Sequence, residues 1–232
     1  LVVGGESPIL VASARTTKGR GVRRVIALIG SGLVAVGLLA GCAGSGYDYI
    51  KSSSDRTYFK VPSKWTVFDE EDVVDRLGGD LTDAERQQVL DETWRVAFDA
   101  SPNPTLRHLG VTTAKDPAGL AVVRSLSFDD SDAVSLGSLR NYFFDIDTAM
   151  QDETGEVVTY EDLQLDGGFR GSHLVANLTM PDGGVLTIDQ TVLVDQATSK
   201  LYALIVSCSN LCYERNSGDI KKVVDSWTVR AK

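Results

Sequence analysis

Gly184–Val194, GVLTIDQTVLV, decides how this chain folds. Leu186, Ile188, Val192 and Val194 fall on alternate positions, the period of a half-buried strand and not of a helix. Upstream, Phe169–Met180 (FRGSHLVANLTM) repeats the pattern through Leu174, Ala176, Leu178 and Met180, and Val157–Leu165 and Lys200–Cys208 continue it on either side. The links are Asp166-Gly167-Gly168, Pro181-Asp182-Gly183 and the polar stretch 195–199, all short and rich in turn residues. Links this short force antiparallel pairing. Residues 157–208 are therefore expected to form a four-stranded antiparallel meander with one face buried against helices.

Working outward, Leu136, Leu139, Phe143, Ile146 and Met150 fit one face of a single amphipathic helix. Leu120, Val122, Leu126 and Phe128 alternate as a strand that Asp129-Asp130-Ser131-Asp132 ends. Thr82 and Glu85 form a capping box opening a helix on which Leu90, Trp94, Ala97 and Phe98 recur at helical spacing, which places Trp94 in the core. Asp69 caps a shorter helix that carries Glu70, Glu71 and Asp72 in its first turn and stops at Gly78-Gly79. Tyr58–Val61 and Trp65–Phe68 read as short strands around Pro62-Ser63-Lys64. After the meander, Ser217 is expected to cap a last helix bearing Ile220, Val223, Val224 and Trp227 on one stripe. Helices segregated around an antiparallel sheet define an α+β domain, a layered α/β/α-type sandwich.

The first 42 residues follow a different logic. Lys18, Arg20, Arg23 and Arg24 form a positive flank, Val25–Leu38 is an uncharged apolar run, and Leu39-Ala40-Gly41-Cys42 ends it. That order reads as a secretory signal peptide, and the run is shorter than the roughly 20 residues of a membrane-spanning helix. The last four residues are similar to the lipobox of bacterial lipoproteins. The resemblance implies that Cys42 carries a thioether-linked diacylglycerol and acyl chains such as palmitate, and becomes the mature N-terminus on the outer face of the cell membrane; the alternative is a plain cleaved signal. The expected division is 1–41 leader and signal, 42–56 lipidated cysteine and flexible tether, and 57–232 a single folded domain.

Residues 1–41 hold five of the 23 basic and one of the 32 acidic side chains, so the remainder carries a formal charge of −13. A chain this acidic repels nucleic acid and anionic lipid as partners of a general charged face. With Cys42 assigned to the lipid, Cys208 and Cys212 remain, and two thiols outside the cell usually pair. Their spacing closes a very short loop, which on a chain-entropy estimate contributes only about 2 kcal/mol; two unpaired thiols are the alternative.

Chemistry-bearing patterns are sparse. His108 and His173 lie in separate segments, with no His or Cys at a zinc-ligand spacing. Ser172 precedes His173, but neighbours on a strand face opposite ways, and there is no Gly-x-Ser-x-Gly elbow. Asp129, Asp130 and Asp132, or Asp145, Asp147 and Asp152, lack the loop pattern that orders calcium ligands. No catalytic residue, metal or cofactor is therefore assigned, and ligand-binding residues stay open.

Phe59-Lys60-Val61-Pro62-Ser63-Lys64-Trp65-Thr66-Val67, the meander, and Ile220–Val229 (IKKVVDSWTV) together resemble the PsbP-like superfamily, which includes LpqN-type bacterial lipoproteins. The resemblance covers Thr57 to Arg230, rests on structural motifs, and transfers no functional residue. It implies a non-catalytic accessory or binding module for a cell-envelope protein or a small molecule. The alternatives are a small-ligand or lipid carrier with a pocket between sheet and helices, and an envelope hydrolase. Lipidation gives the first test: Cys42→Ala should release the protein from membranes and remove the lipid mass from its N-terminal peptide. Unchanged membrane retention without lipid mass would refute it.

Overall fold

The computed structural model describes residues 46–231 apart from 78 and 80; Cys42 and the leader lie outside the described residues. In chain order the elements are β1 (Tyr47–Ser52), β2 (Thr57–Pro62), β3 (Thr66–Phe68), α1 (Glu70–Leu77), α2 (Asp83–Glu92), β4 (Thr93–Asp99) and β5 (Ala118–Ser125). Then follow α3 (Phe128–Ala133), α4 (Leu136–Arg140), α5 (Ile146–Gln151), β6 (Gly155–Leu165), β7 (Phe169–Thr179), β8 (Val185–Val194), β9 (Lys200–Ser209), α6 (Asn210–Ser226) and β10 (Thr228–Val229). Seven strands form one sheet in the order β3-β4-β5-β9-β8-β7-β6, and β1-β2-β10 form a second. All of the strand pairs are antiparallel.

The strand β9 sits in the middle of the large sheet, and every residue from Leu201 to Cys208 is buried. Leu204 and Val206 pack with Phe59 and Val61 of β2, Phe98 of β4, and Ile220 and Val223 of α6. On the other face Leu201 and Ala203 meet Leu139 of α4, while Ile205 joins Ile146 of α5 with Leu174, Leu178 and Ile188. Full burial of each such aliphatic side chain contributes about 1.5–3 kcal/mol. The result is the α+β layered sandwich: α6 and the small sheet cover one face, and α1, α4 and α5 lie on the other.

The meander forms where the period-two pattern places it. At its first turn Gly167 and Gly168 both adopt φ near +80°, the left-handed region that a residue with a side chain enters only with strain. Thr82 and Glu85 make the expected capping box, Thr82 Oγ1 accepting from Glu85 N and the Glu85 carboxylate from Thr82 N. Asp69 Oδ1 accepts from Asp72 N at the start of α1.

Elsewhere the structure corrects the sequence reading. Within residues 42–56, expected as tether, Tyr47–Ser52 instead pairs over six residues with β2 and sets Ile50 against the core. The helix opened by Thr82 stops at Glu92, and Thr93–Asp99 is a strand between β3 and β5. Trp94, Ala97 and Phe98 suit a helix stripe and a strand buried on both faces alike: Ala97 packs with Phe68 and Val73, Phe98 with Phe59 and Trp65. Trp94 still packs against the core, as expected. Phe128 is not a strand residue but opens α3, capped by Ser127. The single helix over 136–150 is two, because Asn141 Oδ1 accepts from both Ile146 N and Asp147 N and turns the chain between them. The last helix begins at Asn210, capped by Ser209, and Ser217 lies inside it with Oγ donating to Glu214 O. Buried Cys212, Ile220 and Val223 hold that helix to the sheet on both sides of the exposed Ser217-Gly218 pair.

Cys208 at the end of β9 and Cys212 in the first turn of α6 are brought together, with Cα atoms 5.9 Å apart and both residues at 0% exposure. A bond here fastens helix to strand. Non-reducing peptide mass spectrometry should find the two linked. Replacing both by Ala should lower stability by about 2 kcal/mol while leaving unfolding cooperative; loss of cooperativity would show that the link carries the fold.

Candidate functional site

The face of the large sheet under α6 carries a chain of polar groups. Asp189 on β8 is 4% exposed. Its Oδ2 accepts from the Tyr213 hydroxyl of α6 at 2.7 Å, and its Oδ1 lies 2.9 Å from His173 Nε2 on the neighbouring strand. A carboxylate oxygen accepts, so the hydrogen of the second contact is assigned to Nε2. The hydrogen bond to Asp189 pushes the His173 imidazole above its ordinary pKa, with burial opposing and Glu161 assisting. Burial drives the Tyr213 phenol well upward, reinforced by the neighbouring Asp189, so it stays protonated as a donor. Asp189 thus spends both oxygens on partners from two elements, which is how a buried carboxylate is tolerated.

The chain resembles an acid–base relay in form only. Ser172, beside His173 in sequence, lies in register with Val192, whose side chain packs with Leu139 of α4, and so faces the opposite layer; it is 1% exposed. Thr191 stands across from His173 but is buried, and no hydrogen bond joins it to the ring among the described residues. His108 is tied to a different carboxylate: its Nδ1 is 2.7 Å from Asp99 Oδ2, and Asp99 also accepts from Ser101 N and Thr105 N, organising the loop after β4.

Three of the six carboxylates in the two acidic clusters have structural partners. Asp130 pairs with Arg124 at 3.0 Å, and that hydrogen bond holds its carboxyl below the usual range. Asp147 is held low by hydrogen bonds from Arg140 and then Asn141, while Asp145 caps α5. Among the described residues no three His, Cys, Asp or Glu side chains are grouped to hold a metal.

A feature that sequence reasoning missed is an edge of the large sheet left unpaired among the described residues. One edge strand, β3, has three residues; the other, β6, has 11, a span of about 35 Å. A bulge between Val157 and Thr159 leaves Val158 56% exposed. Two clefts border this strand. One of about 320 Å³, at its start, is lined by Glu153, Glu156, Asn177 and Asn210 among others. The other, about 180 Å³, lies at its far end between Leu136 and Leu139 of α4 and Asp162, Leu163 and Arg170. The period-two pattern of residues 157–165 placed the strand, but edge position depends on strand order, which local pattern does not encode.

No family model matches the chain, and no curated protein matches it. Among solved structures it is similar to the cyanobacterial PsbP (CyanoP) of Synechocystis sp. PCC 6803, at 14% identity and a TM-score of 0.49, covering 84% of this chain and 99% of that one. It is also similar to the Ran-binding protein Mog1p of Saccharomyces cerevisiae, at 8% identity and TM-score 0.40 over 80% of this chain and 96% of that one. A Pseudomonas aeruginosa protein of unknown function, PA94, gives 10% identity and 0.39 over 80% and 99%. At these values no activity passes from those proteins to this one.

The raised imidazole fixes the sign of a pH effect. The folded state holds the His173 proton to higher pH than the unfolded chain does. The stabilisation is therefore complete below the ordinary histidine range and fades as pH rises through the folded value. His173→Ala should cost about 1.5–3 kcal/mol near pH 5.5, the range for a hydrogen bond to a charged group, and less at pH 9. Urea unfolding at the two pH values measures this; a difference independent of pH would contradict it.

Proposed function

We propose that this chain is a non-catalytic binding or accessory module, anchored through Cys42 to the outer face of the cell membrane, that presents its surface to a partner in the cell envelope. The observation that carries this reading is the open 11-residue edge of β6 with a cleft at either end. An unpaired edge offers a row of backbone donors and acceptors, a standing template for another chain unless it is covered. The domain's convergent titratable chain, His173–Asp189–Tyr213, is meanwhile used to hold α6 on the sheet.

The strand at Tyr47–Ser52 sharpens the picture. From Cys42 to Gly46, where the described domain begins, four residue steps span at most about 14 Å. An anchor there keeps the domain close to the membrane and raises its effective concentration against membrane-bound partners, so modest affinity suffices. A carrier of apolar ligands is less well supported, because the larger cleft is lined by Glu153, Glu156, Asn177 and Asn210 and gives no apolar container.

Amine-reactive cross-linking in intact cells, with the anchored protein as bait, should recover the same envelope protein repeatedly, and Cys42→Ala should abolish its recovery. Turnover of an envelope substrate by the purified protein, abolished by Asp130→Asn without a change in thermal unfolding or by His173→Ala under conditions where that variant remains folded, would overturn the reading.

A further inference from the structure

The edge strand β6 has a chemical character as well as an open side. Residues 152–166 contain six carboxylates (Asp152, Glu153, Glu156, Glu161, Asp162, Asp166) and no lysine or arginine. Two arginines approach the strand, Arg140 with its guanidinium 5.6 Å from the Tyr160 ring centroid and Arg170 in the cleft beside Asp162, but they pair with Asp147 and with Thr198 and the Asp195 carbonyl, and among the described residues none of the six carboxylates has a salt bridge. Glu156 and Glu161 stand exposed on the strand, and Asp162 is exposed although it accepts from the Tyr160 hydroxyl. Between the carboxylates the strand shows apolar surface at Val158, Tyr160 and Leu165, and Leu136 of α4, 45% exposed, borders the cleft at its far end.

We infer that β6 is a docking line for an extended, lysine- or arginine-bearing segment of a partner protein, which adds as an eighth strand to the large sheet. The inference rests on the binding-module reading and names the occupant. Main-chain hydrogen bonds along the free edge supply sequence-tolerant affinity, and alternate side chains of the incoming strand supply selectivity. One face of that strand meets Glu156 and Glu161, so basic residues are favoured there. The apolar cleft beside Leu136 and Leu163 receives one aliphatic or aromatic anchor. A second copy of this chain is the disfavoured occupant, because two β6 edges laid together would face carboxylate against carboxylate across the strand spacing, and directly opposed like charges are destabilising. The bulge at Val158 and the carboxylates, which guard against self-pairing, thereby select a basic partner from the same edge.

The test uses the full chain in a neutral detergent and a fluorescent nine-residue peptide of alternating lysine and valine. Its glutamate–valine counterpart serves as a control, together with two lysine–valine forms N-methylated on alternate residues in the two possible phases. Strand addition predicts that the lysine peptide binds at least tenfold more tightly than the glutamate one and that N-methylation weakens it at least tenfold in one phase or both. The double variant Glu161→Lys with Asp162→Lys, both at exposed positions, should lose at least tenfold in affinity while remaining folded at the temperature of the binding assay, as circular dichroism checks. Binding of the lysine peptide should weaken severalfold from low to high salt, as exposed charges are screened. Equal binding of both N-methylated forms and the parent peptide would overturn strand addition, since attraction by charge alone does not sense the backbone. No binding of the lysine peptide, or a β6-mediated dimer seen by sedimentation and lost in the double variant, would overturn the assigned occupant. If the double variant still captures the same protein in cells, the docking line is wrong while the module reading stands; if enzymatic turnover appears, the module reading itself falls.

Discussion

A strand buried on both faces must be covered twice, and β9 imposes that requirement on the rest of the domain. Leu204 and Val206 need one apolar layer and Leu201, Ala203 and Ile205 another. The two layers are built differently. Over one face lies the 17-residue α6 with the small β1-β2-β10 sheet; over the other lie α1 and the short helices α4 and α5. The helices α2 and α3, which have no buried residue, are free of this demand and need only local capping to form.

Covering a sheet with a helix leaves the question of where along the sheet the helix stops, since apolar contacts alone are poorly directional. Here polar contacts answer it. Asp189 is buried beneath α6, and Tyr213 and His173 satisfy it from the helix and from β7. Sliding α6 by one turn would strip the carboxylate of its phenol donor and leave a buried charge short of partners, which costs far more than a displaced methyl group. The Cys208–Cys212 pair and the Ser209 cap fix the start of the same helix only a few residues away. Apolar area supplies the driving force, and these directional groups set the register.

The same division between area and direction explains how much of the structure was legible in the sequence. The meander was readable because period two, aliphatic residues and short links rich in turn residues all agree over residues 157–208, and antiparallel pairing follows from link length. The Thr82–Glu85 capping box and the Asp69 cap were equally visible, being local. What failed was what tertiary context decides. Trp94, Ala97 and Phe98 satisfy a helical stripe and a doubly buried strand alike, and only the partners β3 and β5 settle the matter. Tyr47–Ser52, polar and glycine-flanked, becomes a strand only because β2 has an edge to offer. The split at Asn141 depends on one side-chain oxygen receiving two backbone donors. Of the site, His173 was visible as a residue, but neither its partner Asp189 nor the open edge could be read without the pairing of β7 with β8 and the order of the sheet.

The two edges of the large sheet show the other side of this logic. An edge strand is exposed to pairing in proportion to its length and flatness, and β3, three residues long, is short enough to offer almost nothing. At the opposite margin β6 is among the longest strands of the sheet, and shortening it would uncover the β7 residues it shields: Leu174 and Ala176 pair with Tyr160 and Val157. Its length is thus set by the core, and protection has to come from chemistry. The bulge at Val158 interrupts the regular ladder, and carboxylates that, among the described residues, no lysine or arginine pairs with make the edge repellent to its own kind. Charge of a single sign does not close an edge, however; it changes which chains can approach it. A domain whose core forces one long edge into the open, and which carries an excess of acid from residue 42 onward, turns a structural liability into a surface with a preference of sign.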